Sequence, residues 1–274
     1  MTPADEHAYA ALARKITEGS GLALQAYKDK CIRRRIAVRM RACGVHSYAD
    51  YHALLDRTPA EYERLRDALT INVTRFYRNA ETWSLLRRTV LPQLLEERQG
   101  ELSAWSAGCS SGEEPYTLAL LIAEQLDAAG RSEQLERVAV DATDVDRESL
   151  DRARAATYPL ESLGELPPEL LHRYFEPAGA ERRVVDRVRQ RVRVRRHDMT
   201  ADGPPRRGYR LILCRNVVIY FDRPMQERLF AAFADALAPG GYLVLGKVET
   251  LIGAARERLI LIDPRERVYR RPAA

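Results

Sequence analysis

The sequence predicts an α/β protein: an all-helical N-terminal domain, then a doubly wound parallel sheet carrying a small inserted antiparallel β subdomain. Three observations carry this. From about residue 84 onward, apolar runs and helical patterns alternate as strand, helix, strand, helix. Residues 1–80 read as helices, with Ile32, Ile36 and Met40 recurring every four positions on one stripe. Residues 184–195 interrupt the alternation, because Val188, Val192 and Val194 stand on a period of two with arginines between, which reads as a half-buried antiparallel strand or hairpin. The expected boundaries are a helical domain over 1–75, a linker and first helix over 76–95, and an α/β domain over 96–274 with its β subdomain at about 175–196.

The elements follow in order. A basic helix covers 28–41 and stops at Gly44, and a further helix runs from Pro59, after Thr58, to about Leu69. A helix through 83–98 ends at Gly100. The strand 101–108 leads through a Gly-rich loop into a helix over 113–130. A strand over 137–146 precedes a helix at 147–156. A buried strand starts at Tyr209, a helix runs from Pro224 to a Gly-Gly stop at 240–241, and strands follow at 241–246 and 266–271.

Composition narrows the class. With 46% hydrophobic and 30% charged residues the chain reads as soluble and globular. Its longest charge-free apolar run is far short of the roughly 18–20 residues that span a bilayer, so no membrane insertion is expected. The first ten residues lack the basic-then-apolar order of a signal peptide. Cys31, Cys43, Cys109 and Cys214 form no CxxC pair and the five histidines no HxxxH, so no metal is expected and a cytoplasmic location is the simplest. The net charge of +5 lies wholly in residues 1–80, which hold 14 Lys/Arg against 9 Asp/Glu. An excess confined to one segment points to an acidic partner met there.

Three places carry chemistry. Gly108 and Gly112, in the loop between a strand and a helix, let backbone turn sharply and approach a nucleoside closely. Glu113 and Glu114 at the helix start oppose a pyrophosphate and suit a positively charged ligand, although Glu113 serves equally as a favourable helix-start acid. Asp144, at the tip of the next strand, is placed to grip ribose hydroxyls, with Asp146 the better cap for the following helix. Arg215 and Asn216 follow an apolar strand directly, which puts them at the carboxyl edge of the sheet, where open α/β sheets bind ligands. Tyr220 fits either that edge or the core.

The chain resembles the CheR-type chemotaxis receptor methyltransferases. The resemblance rests on TINVTRFYRN, WSAGCSSGEEPYTLA, ATDVD, YFEP, LCRNVVIYFD and GGYLVLG, which occur in the family's order over nearly the whole chain. It implies a Rossmann-like class I methyltransferase domain that uses S-adenosyl-L-methionine to esterify receptor glutamates, leaving S-adenosyl-L-homocysteine. By this match Asn72, Thr74 and Arg78 reach over the cofactor, with Phe76 and Tyr77 packing the junction between domains. Gly108 lies in the cofactor loop, and Glu114 and Asp144 hold the methionine and ribose ends. Asp198 and Met199 meet the adenine, and Cys214, Arg215 and Asn216 line the far wall. Tyr220 sits with Arg78 near the transferred methyl. Arg34, Arg35, Arg39 and Arg41 would lie on the acidic, helical, cytoplasmic methylation region of the receptor.

That chemistry suits these residues. A sulfonium methyl is already activated, and a glutamate with pKa of about 4.3 is already ionised at neutral pH, so no general base is needed. Placement and water exclusion suffice, with Arg78 orienting the carboxylate and Tyr220 holding one oxygen.

Two departures from the family pattern stand out. Gly246-Lys247-Val248-Glu249 replaces the family's common Gly-His-Ser-Glu, and the inserted sheet is short around Pro177–Ala180. The second implies an enzyme that does not depend on a receptor's C-terminal pentapeptide as a tether. A nucleic-acid methyltransferase is the first rival, suggested by the pI of about 9.1. It lacks the polar-Pro-Pro-aromatic turn that holds a base, and its front helix lacks interleaved aromatics. A catalytically silent receptor-binding scaffold is the second, opposed by the intact set Asn72, Thr74, Arg78, Glu114, Asp144 and Tyr220.

Overall fold

The computed structural model describes residues 2–20, 22–69, 74–96 and 100–273. Its contacts divide the chain into two units, one of residues 1–71 with Tyr220–Met225, the other of residues 72–219 and 226–274.

The helical unit begins with α1 (Pro3–Ser20), where Thr2 and Asp5 satisfy each other's backbone N–H groups as a capping box. α2 (Asp29–Ala42) buries Ile32, Ile36 and Met40, as the four-residue spacing predicts. Burying each such side chain contributes about 1.5–3 kcal/mol. Ser47 caps α3 (Tyr48–Arg57) by accepting from Asp50 N at 3.1 Å, and α4 (Pro59–Leu69) buries Leu65 and Leu69.

The second unit starts with α5 (Ala80–Leu85) and α6 (Leu91–Glu96), joined by a π-helical turn over Leu86–Val90 in which Leu91 N–H reaches Leu86 O. The widened turn precedes Pro92, which has no N–H to give and whose ring crowds the preceding turn. The expected single helix over 83–98 is thus two helices around one bulge. There follow β1 (Leu102–Ala107), α7 (Glu113–Ala128), β2 (Val138–Asp144) and α8 (Arg147–Ala155). Next come β3 (Thr157–Tyr158), α9 (Pro168–Tyr174), β4 (Phe175–Ala178), β5 (Glu181–Val184), α10 (Asp186–Arg189) and β6 (Val192–Arg196). The chain ends with β7 (Tyr209–Cys214), α11 (Arg223–Ala236), β8 (Leu237–Leu245), α12 (Ala255–Arg258), β9 (Ile260–Asp263) and β10 (Val268–Arg270).

The main sheet has the order β6-β2-β1-β7-β8-β10-β9, parallel except where β10 runs against β8 and β9. Chain order reverses between β1 and β7, and such a switch point opens a crevice at the strands' carboxyl ends. β1 and β2 are almost wholly buried, as expected of parallel strands covered by helices.

The small antiparallel sheet exists, but not where the valine period pointed. It is β3-β5-β4, whereas residues 186–189 form a helical turn and β6 pairs parallel with β2 at the edge of the main sheet. An edge strand also shows apolar residues on alternate positions, and the arginines between them blunt its open side.

Candidate functional site

β1 ends in a loop of enforced shape. Gly108 has φ +80°, and a Cβ there would stand 2.6 Å from Val217 Cγ2. Gly112 has φ +97°, and its Cβ would meet Tyr158 Oη at 2.8 Å. Both positions need glycine. Ser110 is left-handed as well (φ +48°), and its buried hydroxyl oxygen has no partner among the described residues.

Asp144, at the tip of β2, holds this loop. Its carboxylate accepts from Ser110 N at 2.8 Å and from Asp146 N at 3.0 Å. Asp146 caps α8 by accepting from Ser149 N at 3.2 Å, so Asp144 is free of that duty. Burial pushes the Asp144 carboxyl above its ordinary range, and the backbone N–H donors pull it back. Of the two acids opening α7, Glu113 is engaged locally, accepting from Ser111 Oγ at 2.8 and 3.0 Å. Glu114 faces the switch point, where Ser106 Oγ donates to it at 2.8 Å and Arg215 Nη1 lies 3.3 Å away. Burial raises its pKa too, against the pull of Arg215, Ser106 and Arg78.

The segment 76–79 packs into this same unit. Phe76 stands edge-on to Tyr158 at 4.7 Å and to Phe175 at 5.4 Å, and Tyr77 stacks near Trp83. Both aromatics are core residues of the α/β unit. The physical reason is the apolar wall offered by the small sheet. Tyr77 (φ +58°) and Asn79 (φ +64°) are left-handed, so the loop is strained and held by outside contacts. Arg78 and Thr74 are half-buried, and Asn72 lies outside the described residues.

On the far side, Cys214 is fully buried, and burial drives its thiol well above the ordinary range, as it does for Cys109. Asn216 is left-handed (φ +61°). Its loop is held by Glu249, which motif reading passed over. Glu249 is 2% exposed and accepts four backbone N–H groups: Asn216 at 2.9 Å, Val217 at 2.9 Å, Ile219 at 3.3 Å and Gly246 at 2.6 Å. Lys247 reaches outward to Glu81 at 3.1 Å and Glu266 at 3.2 Å, and Val248 is exposed. The Asp198 carboxylate accepts from Thr200 N and Oγ1 at 2.8 and 2.7 Å, shaping its own turn, and Met199 is half-buried.

Tyr220 belongs to the helical unit by its contacts. Its carbonyl accepts from Lys28 N at 2.8 Å, and the Arg35 guanidinium lies 5.4 Å from its ring. Arg35 also donates to the carbonyls of Ala68 and Leu69, both at 2.8 Å, at the end of α4. Arg39 is bidentate to the buried Glu61, which accepts from Tyr51 Oη as well. Arg35 and Arg39 thus brace the helical unit, whereas Arg34 and Arg41 stand exposed on α2 beside Lys30 and Val38.

Two half-buried carboxylates, Glu114 beside the switch point and Asp144 at the tip of the neighbouring strand, define a Rossmann-like site for a nucleoside ligand that bears positive charge. Residues 72–266 match the SAM-binding domain of CheR methyltransferases, and residues 7–70 match the all-alpha domain of CheR methyltransferases. A chemotaxis protein methyltransferase of Listeria monocytogenes is 33% identical over 93% of this chain and 94% of its own length. One from Klebsiella aerogenes is 33% identical over 93% and 87%, and chemotaxis protein methyltransferase 2 of Pseudomonas aeruginosa 35% identical over 86% and 84%. The chain belongs to the CheR methyltransferase family and is an S-adenosylmethionine-dependent methyltransferase. The donor set fits that cofactor: acids for its cationic end, and the orphaned Ser110 hydroxyl beside the ribose-type acid. Among the described residues, no cluster of His, Cys, Asp and Glu could hold a metal, and no helix is long and apolar enough to cross a membrane.

Proposed function

We propose that the enzyme methylates glutamate side chains on the cytoplasmic helical region of chemoreceptors, giving glutamyl 5-methyl esters and S-adenosylhomocysteine. The observation that carries this is how the polar groups of the site are already engaged. Both thiols at the sheet edge are driven up by burial, and Glu114 and Asp144 are already hydrogen-bonded. None of these four is placed to take a proton from a hydroxyl or amide acceptor. An acceptor that arrives ionised fits best, and a carboxylate is one at neutral pH.

The bound cofactor supplies an activated methyl group. Glu114 holds its ammonium end, Asp144 accepts from its ribose hydroxyls, and the Gly108 loop admits it close to backbone. Thr74 and Asn72 are read as covering groups, Asp198 and Met199 as adenine contacts, and Cys214 and Asn216 as the far wall. Arg78 orients the incoming carboxylate with a planar fork, and Tyr220 holds one of its oxygens; each is tested separately by substitution. A neutralising clamp would dull the nucleophile, so the role of Arg78 is placement. Arg34 and Arg41 are the docking arginines, since Arg35 and Arg39 are spent on the domain itself.

The test is mass spectrometry of a receptor fragment incubated with cofactor. Addition of one methyl to glutamates, lost in Arg78→Ala and Tyr220→Phe, supports the reading; methylation of another residue type contradicts it. Nucleic acid and membrane are not expected partners, and the location proposed is the cytoplasm. β4 and β5 span four residues each and offer a short edge, which supports function without a pentapeptide tether. Micromolar affinity for a receptor's C-terminal pentapeptide would contradict that.

A further inference from the structure

Arg215 is 7% exposed, yet its guanidinium has three partners on two different elements. Nη1 lies 3.3 Å from Glu114 Oε2 on α7. Nη2 donates to Arg78 O at 2.8 Å and to Asn79 Oδ1 at 3.0 Å, on the strained loop before α5. Its Cζ lies 5.2 Å from the centroid of the Trp83 ring, and Trp83 Nε1 donates to the same Arg78 carbonyl at 3.0 Å. The preceding residues are anchored elsewhere: Arg75 Nε lies 2.9 Å from Glu165, Phe76 N donates to Ser162 O at 3.1 Å, and Tyr77 N donates to Thr117 Oγ1 at 3.2 Å. Those secure residues before Arg78. Arg215 and Trp83 both donate to the Arg78 carbonyl itself.

We propose that Arg215 is a positioning residue that couples the cofactor-facing carboxylate Glu114 to the loop bearing Arg78, rather than a ligand of the cofactor. This rests on the reading of Glu114 and Arg78 given above. A ligand that takes over part of Glu114's charge changes what Glu114 offers Arg215, and the other arm of the same rigid fork holds the Arg78 peptide. A strained loop with two left-handed residues, Tyr77 and Asn79, is the element such a fork can hold or release. Occupancy of the cofactor site would then set where the Arg78 side chain points.

The test compares Arg215→Lys, Asn79→Gly, Arg78→Lys and the Arg215→Lys/Arg78→Lys double variant in the full chain. Lysine keeps a charge for Glu114 but cannot bridge three partners, and glycine keeps the left-handed backbone while removing the amide. Arg215→Lys is expected to bind S-adenosylhomocysteine within about threefold of the parent while kcat falls roughly a hundredfold, the scale of a 1 Å misplacement. Asn79→Gly should fall about tenfold in kcat, and the double variant should be no slower than the slower single. S-adenosylhomocysteine should change tryptophan emission in the parent, not in Trp83→Phe, and not in Arg215→Lys.

The proposal is overturned if Arg215→Lys loses cofactor affinity with kcat retained, if the two single effects multiply, or if Arg215→Lys keeps the emission change. Should Arg215→Lys fail to melt cooperatively, Asn79→Gly decides by the same readouts. If the parent methylates no glutamate, the proposed function fails, while the emission arm still decides the role of Arg215 because it needs only S-adenosylhomocysteine.

Discussion

Replacing Glu249 by glutamine tests whether one buried carboxylate holds two strand exits together. Oε1 accepts from Val217 and Ile219, and Oε2 from Asn216 and Gly246. Glutamine keeps one acceptor oxygen and turns an NH2 group toward two N–H donors. Two charge-assisted bonds are lost, at about 1.5–3 kcal/mol each. Relief from burying a charge offsets part of this, since burial already pushes the Glu249 carboxyl upward against its four donors. The net cost is about 3 kcal/mol. At roughly 2–4 °C per kcal/mol for a chain of this size, the melting temperature should fall by about 6–12 °C. Because Asn216 and Val217 lie on the loop that flanks Gly108, affinity for S-adenosylhomocysteine should fall as well. Thermal melts by circular dichroism and calorimetric titration read both. A variant that melts within about 2 °C of the parent and binds equally well would refute the reasoning.

The remaining predictions follow from charges with identified partners. Glu114→Gln should weaken S-adenosylhomocysteine binding by about 1.5–3 kcal/mol, read by titration calorimetry. Glu114 and Asp144 have folded-state pKa values above their ordinary ones. Their contribution to ligand-free stability is therefore full below the unfolded values and lost as pH rises through the folded ones. Ligand affinity runs oppositely, falling as acid neutralises the carboxylates and rising as they ionise, which titrations from pH 8 to about 5 should show. Asp127 is 3% exposed and held below its ordinary range first by Arg187, with Ser132 and Tyr174. Its stabilisation is present above the unfolded pKa and lost as pH falls through the folded one. Asp127→Asn should cost about 2–3 kcal/mol in a neutral melt, loosening α9 and α10 from α7. Charge reversal at Arg34 and Arg41 should raise the KM for a receptor fragment, more so at low salt, with melting and cofactor binding unchanged. Arg39→Glu should instead destabilise the helical unit, because it sets two acids against each other at the buried Glu61.

The doubly wound fold was legible because strand and helix patterns alternate along the chain and the loop after β1 carries glycines at forced positions. The α2 stripe was legible for a similar reason: Ile32, Ile36 and Met40 repeat at helical spacing. What escaped was non-local. A period of two in 188–194 does not say which strand lies alongside, and the partner is β2, some fifty residues earlier. Likewise, the helix face of Arg35 and Arg39 does not reveal the α4 carbonyls and Glu61 waiting opposite. One signal was available: Glu61 falls on the stripe of Leu65 and Leu69, and an acid there demands a partner. Glu249 stood in a quoted motif, but nothing in Gly-Lys-Val-Glu announces four backbone donors. Arg215 was placed at the correct sheet edge, and only the geometry shows that its guanidinium holds Glu114 and the Arg78 carbonyl.

The most direct measurement of the central claim is alkaline release of label. The purified enzyme is incubated with methyl-labelled S-adenosylmethionine and a cytoplasmic chemoreceptor fragment, and the labelled fragment is then treated with mild base. The account predicts label that leaves as volatile methanol and that is absent with Arg78→Ala. Label that survives base, or that appears only on added RNA, would contradict it.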